Sequence, residues 1–168
     1  DDASHLFNIE ELELTYNRVG VRLSHGGNPC TIKNVHVATG YLGSDKDNFN
    51  EFIVFHTKGQ TTIDGVYQEA YDSTAQAEKT TLFHFEGWGY GCGNLTIKNT
   101  PVAIPSGSGG KWLKVRTYLG AGPETGSSSP IAVSNDVGTY PDIPVKLVNC
   151  NLGSYRKNIS SLLNIIDC

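Results

Sequence analysis

Short runs of alternating apolar and polar residues, each broken by glycine, proline or asparagine, constrain this chain more than any other feature. Ile9 to Leu14 and Val19 to Leu23 alternate with period two, Thr31 to Leu42 reads as a longer strand, and Phe52 to Phe55 as a short apolar one. Thr81 to Glu86 alternates again. From Trp112 to Leu119 the residues Leu113, Val115, Thr117 and Leu119 face one way, and Lys114, Arg116 and Tyr118 the other. Pro144 to Val148 is a further strand. Between these lie the turn residues His25 to Pro29, the polar turn Asp45 to Asn48, a polar stretch over 57–80 with room for a short helix at 73–79, and the glycine-punctuated segment Gly87 to Gly93. The 19 glycines and only 18% charged residues suit short strands joined by turns better than a helical bundle.

The end of the chain changes period. Leu152, Tyr155, Ile159, Leu162, Leu163 and Ile166 fall on one face of a helix, which Asn149 or Asn151 would cap. No internal repeat and no linker is apparent. The expected fold is therefore α+β: a single domain over 1–168, with an antiparallel β-sheet core closed by a C-terminal amphipathic helix.

A net charge of −4 and the absence of a Lys/Arg cluster argue against a nucleic-acid partner. No apolar run reaches the ~20 residues of a membrane span. No charged-then-apolar signal segment is visible, and with Asp1-Asp2 at the start any export signal is expected to be already removed. The four cysteines, Cys30, Cys92, Cys150 and Cys168, and the glycosylation triplets at Asn94 and Asn158 point to a secreted or organelle-lumenal glycoprotein with disulfides. If a helix separates Cys150 from Cys168, its rise holds them ~27 Å apart, beyond the ~7 Å within which disulfide Cα atoms lie. Two crossed pairings with Cys30 and Cys92, or one bridge with free thiols, then remain open.

At a strand-to-helix joint, the Cys150 thiol would sit beside free backbone N–H groups and the positive end of a helix dipole, which favour the nucleophilic thiolate. Such a cysteine needs a base and a group to orient it. His36 lies in a strand beside the small Ala38, and Glu51 opens the next strand, where a hairpin would return it to His36.

His36 on an early strand, Glu51 on the next and Cys150 before a late helix form an order that resembles the circularly permuted papain-like (NlpC/P60-type) cysteine enzymes. More closely, the chain resembles the ceroid-lipofuscinosis neuronal protein five family. The matching stretches are Leu6 to Asn8 and Glu13 to Tyr16, Val35 to Tyr41, Phe49 to Phe52, Phe85 to Gly87, and Asn149 with Cys150. The resemblance implies a cysteine acyl hydrolase or acyltransferase, of thioesterase, depalmitoylase or lysophospholipid transacylase type. Cys150 would be nucleophile, His36 base and Glu51 orienting acid. A small acyl or lipid substrate, peripheral contact with membrane lipid and no cofactor go with it. The Cys150 N–H would be one oxyanion donor, and Trp88, Tyr90 and Asn149 the candidate substrate contacts.

Two other readings stand beside it. Trp88, Tyr90, Trp112 and Tyr118 could form a sugar-stacking platform on a non-catalytic β-rich lectin or adhesin domain held by disulfides. His36, His56 and His84 could form a three-histidine zinc site, although no paired histidine spacing supports one and no metal is expected.

Overall fold

The computed structural model describes residues 7–15, 19–24, 29–38, 49–55, 60–68, 80–87, 94–101, 111–117, 131–134, 145–152 and 163–168. Eleven strands run through them: β1 (Phe7–Thr15), β2 (Val19–Ser24), β3 (Cys30–Ala38), β4 (Phe49–Phe55), β5 (Thr61–Gln68), β6 (Thr80–Gly87), β7 (Leu95–Lys98), β8 (Lys111–Thr117), β9 (Ile131–Ser134), β10 (Val145–Val148) and β11 (Asn164–Ile166).

Every pairing between them is parallel. One sheet has the order β1-β3-β5-β7-β10-β11 and the other β2-β4-β6-β8-β9. From β1 to β8 the chain visits the two sheets alternately, so each strand lies on the one two places earlier. The chain winds as a coil, a parallel β-helix. Val19 pairs with Asn50 and Asn50 with Thr81, a turn length of roughly 30 residues, within the range of solenoid repeats. Past β8 the alternation shifts: β9 lies directly on β8, and β10 on β7.

This corrects the α+β expectation. The alternation of apolar residues identifies strands, but period two carries no information on which strands are neighbours. Parallel neighbours need a long crossover, and here the opposite sheet is that crossover. The described residues contain no helix. Within the expected C-terminal helix, Asn164 to Ile166 form β11, paired with Lys146 to Val148, while 153–162 lie outside the described residues. Leu152 and Leu163 are both buried, but they are inward positions on successive turns, which merely coincide with helical spacing. The polar stretch read as a loop contains β5, whose burial alternates around Ile63 and Val66.

The coil also overturns the expectation that the chain has no repeat. Thr31, Ile32, Lys33 and Asn34 recur in identical order as Thr96, Ile97, Lys98 and Asn99, with Thr62, Ile63, Asp64 and Gly65 between them. Register superposes the three: Thr31 on Thr62 on Thr96, and Ile32 on Ile63 on Ile97. Each turn therefore has an inward isoleucine, a polar outward residue, and then a residue suited to positive φ.

Stacking like on like builds the core. Ile9, Ile32, Ile63, Ile97, Leu147 and Ile165 form one inward column. The inner four are fully buried, and each such side chain contributes about 1.5–3 kcal/mol on transfer from water. The other sheet stacks Val21, Phe52, Phe83 and Leu113. Phe52 and Phe83 lie with ring centroids 5.4 Å apart, and Trp112 meets Phe83 edge-on at 5.2 Å. Outward, Glu10, Lys33, Asp64 and Lys98 alternate in sign along one column, with a Lys33–Glu10 ion pair of 3.2 Å.

Candidate functional site

The first sheet is creased by a column of left-handed residues. Glu11, Asn34, Asn99, Asn149 and Asp167 have φ between 49° and 58°, and Gly65 has φ of 73°. They occupy the same position on successive turns. Asparagine and aspartate tolerate this conformation better than other residues with a side chain, so the column reads as a ladder of polar corners. The Asn149 side-chain N–H donates to Asn99 Oδ1 at 2.7 Å, and the Asn99 side-chain N–H donates to Asp64 Oδ1 at 2.6 Å. Asn99 reaches Asp64 because Gly65 offers no side chain.

Gly65→Asn should complete this ladder. A Cβ at Gly65 would lie 3.6 Å from Asn34 Oδ1, an ordinary contact. The positive φ strains any side chain there, which offsets the stiffer unfolded chain, so stability should change by no more than about 0.5 kcal/mol. Gly65→Val, with a branched residue at positive φ, should lose about 1–3 kcal/mol. Urea unfolding of the two variants checks both.

The corner breaks the backbone ladder, so the next residue's N–H needs another acceptor. The following turn supplies it. The Val66 N–H donates to Thr100 Oγ1 at 3.2 Å, and the Cys150 N–H to Cys168 Sγ at 3.1 Å. The Thr100 N–H bonds Cys150 Sγ between them. Each of these side chains donates in turn to the carbonyl two residues earlier: Thr100 to Lys98, Cys150 to Val148 and Cys168 to Ile166. Cys150 and Cys168 thus take the place that the Thr100 hydroxyl holds one turn before.

This geometry bears on each sequence candidate. Cys150 follows β10 instead of opening a helix, and its thiol is fully buried in the interior. Burial pushes it up from its usual 9.0 to about 11, with smaller contributions from hydrogen bonds and Cys168. Because the folded value is raised, the protonated thiol's contribution to stability is present below pH 9 and lost as pH climbs towards 11. The expected depression of its pKa is not found, because burial outweighs the backbone hydrogen bonds that lower it.

His36 projects from the opposite face of the same sheet, half-buried on the outside. β3 and β10 are separated by three strand spacings, about 14 Å. Glu51 lies on β4, in the other sheet. The structure does not bring Cys150, His36 and Glu51 together. Asn149, a candidate substrate contact, is an exposed rung of the corner ladder. Trp112, expected on an exposed aromatic platform, is fully buried, and Trp88, Tyr90 and Tyr118 lie outside the described residues. Of the zinc candidates, His36 and His84 sit in different sheets and His56 lies outside the described residues. Among the described residues no cluster of three metal-ligating side chains occurs.

What the outside does assemble is a short column at the crease's far side: Glu13 beside His36 beside Tyr67. The His36 and Tyr67 rings lie 5.5 Å apart with planes tilted by 33°. Tyr67 is 64% exposed, unlike the buried aromatics of the core. Thr15 Oγ1 donates to Glu13 Oε1 at 3.3 Å, holding that carboxylate on the same surface. The sequence signal for this column was the repeat itself: once Ile32 and Ile63 are aligned, His36 falls on Tyr67.

Fold and surface together define a parallel β-solenoid with an outer face carrying the exposed Glu13, His36 and Tyr67 column. The chain matches no protein-family model, no curated protein and no solved structure.

Proposed function

We propose that this chain is a non-catalytic carbohydrate-binding β-solenoid module that presents the Glu13–His36–Tyr67 column to a neutral glycan. The observation that carries the reading is Tyr67, a large ring left mostly in water yet packed on His36 in a rigid sheet. A pyranose offers an apolar C–H face that stacks on such a ring, and its hydroxyls find a partner in the Glu13 carboxylate. Tyrosine combines an apolar body with a polar tip and so suits a surface wet on one side. The strand spacing of ~4.8 Å sets the pitch of the column, and that pitch is close to the rise per sugar in an extended polysaccharide. The net charge of −4 and the Glu13 carboxylate favour neutral over acidic sugars.

Cysteine acyl chemistry is not part of this proposal, because its nucleophile lies inside the coil and its base outside. A secreted setting accords with glycan binding.

The test is binding of neutral and acidic polysaccharides by affinity electrophoresis and calorimetry. Tyr67→Ala should weaken neutral-glycan binding by about tenfold or more, while thermal stability moves by no more than ~0.5 kcal/mol, since the side chain is exposed. Absence of binding across the panel, or affinity untouched by Tyr67→Ala, would remove the proposal.

A further inference from the structure

Cys150 and Cys168 lie side by side at the corner of the last two strands of the first sheet. Asn149 N–H bonds the Ile166 carbonyl at 2.9 Å, which carries the β10–β11 register one step further and sets Cys150 opposite Cys168. Both side chains lie in the column that continues inward from Leu12, Val35, Val66 and Thr100. Cys168 Sγ is already 3.1 Å from the Cys150 backbone nitrogen. Adjacent parallel strands hold their Cα atoms ~4.8 Å apart, inside the 4.4–6.8 Å that disulfides span. Because Asn164 to Ile166 form a strand paired with Lys146 to Val148, no continuous helix holds the two residues apart.

We propose that Cys150 and Cys168 form a disulfide that fastens β11 onto the coil. β11 has only three residues and, among the described residues, pairs on one side alone, so it is held by few hydrogen bonds there. The chemistry needs an oxidant of the disulfide class, for which glutathione disulfide serves. The half-buried Cys168 sulfur, as thiolate, attacks one glutathione sulfur and expels the other as glutathione thiolate. Cys150, after losing its proton, attacks the resulting mixed disulfide at Cys168 Sγ and expels the second glutathione thiolate. Two protein thiols are oxidised, one glutathione disulfide is reduced to two thiols, and the two protons pass to the departing thiolates. Burial of Cys150 makes the second step the slower one, because only the thiolate is nucleophilic.

The structure also provides a control that should fold. Cys168→Thr keeps an acceptor for the Cys150 N–H, as Thr100 does for Val66, but cannot be oxidised. The experiment incubates the native full chain in a glutathione redox buffer, blocks residual thiols and digests it with trypsin. Cleavage after Lys146, Arg156 and Lys157 places the two cysteines on separate peptides. We expect these peptides to be recovered joined, and the oxidised protein to melt higher than the reduced one by roughly 5 °C or more. That difference should vanish in Cys168→Thr. Recovery of Cys150 linked to Cys30 or Cys92, or of both thiols alkylated after exposure to oxidant, would overturn the proposal. The mapping on the unaltered chain decides this even if the variant is unstable, and it is independent of glycan binding at Tyr67.

Discussion

Phe83→Ala is expected to destabilise the protein by about 3–5 kcal/mol, the range for removing a buried aromatic ring. Phe83 is 1% exposed and sits in the middle of its column, between Phe52 and Leu113, with Trp112 against its edge. Truncation removes contacts on both neighbouring turns at once. In a solenoid, stability is close to a sum of turn and nearest-neighbour terms. A cavity in a central turn therefore weakens two interfaces, whereas one at the end weakens a single interface. Val21 stands in the same column on β2, at the edge of the sheet, and is only half-buried. Val21→Ala should cost no more than about 1 kcal/mol. Equilibrium urea unfolding of the two variants measures the contrast. Equal losses would mean that the column does not exist as a stack.

The second large effect is expected at the corner ladder. Asn99→Val should lose about 2–4 kcal/mol from two separate causes. One is conformational: φ of 49° is a strained setting for a branched side chain. The other is the loss of both side-chain hydrogen bonds, to Asp64 and from Asn149, each worth about 0.5–1.5 kcal/mol in net terms. Asn99→Gly separates them, because glycine accepts the backbone angle and loses only the hydrogen bonds. We expect Asn99→Gly to cost about half as much as Asn99→Val, read by the midpoint of chemical unfolding. If the two variants were equally stable, backbone strain at the corner would have no part in the effect.

Strand positions were readable from alternation at β1, β2, β3, β6 and β8, because one face of each is buried and the other is not. β5 was passed over because its first residues are threonines, which appear polar by composition but sit well in a sheet. The arrangement of the strands was not readable by alternation. Antiparallel and parallel neighbours have the same period two, and only matching of residues on distant turns distinguishes them. Such a match was present in Thr31 to Asn34 and Thr96 to Asn99, but the variable lengths between turns hide it from any fixed-period search. The same irregularity lets Leu152 and Leu163, inward residues of different turns, imitate a helical face.

The candidate site followed the fold. An activated thiol at Cys150 depends on a helix starting at that residue. Just past β10, with its side chain in the interior, Cys150 is instead a buried hydrogen-bonding group beside Cys168. His36 was singled out from sequence, but for a different neighbour. Tyr67 went unremarked, since nothing local separates an exposed ring from a core one.

By itself, the order of residues determined where β1, β2, β3, β4, β6, β8 and β10 run and, where they alternate, which side of them avoids water. These depend on neighbours within a few positions along the chain. Only the tertiary structure decided that His36 meets Tyr67, that Cys150 meets Cys168, and that the first pair faces solvent and the second the interior. Both contacts join consecutive strands of one sheet, and their register is set by the stacking of buried columns across whole turns, a cooperative property that no short stretch of the chain contains.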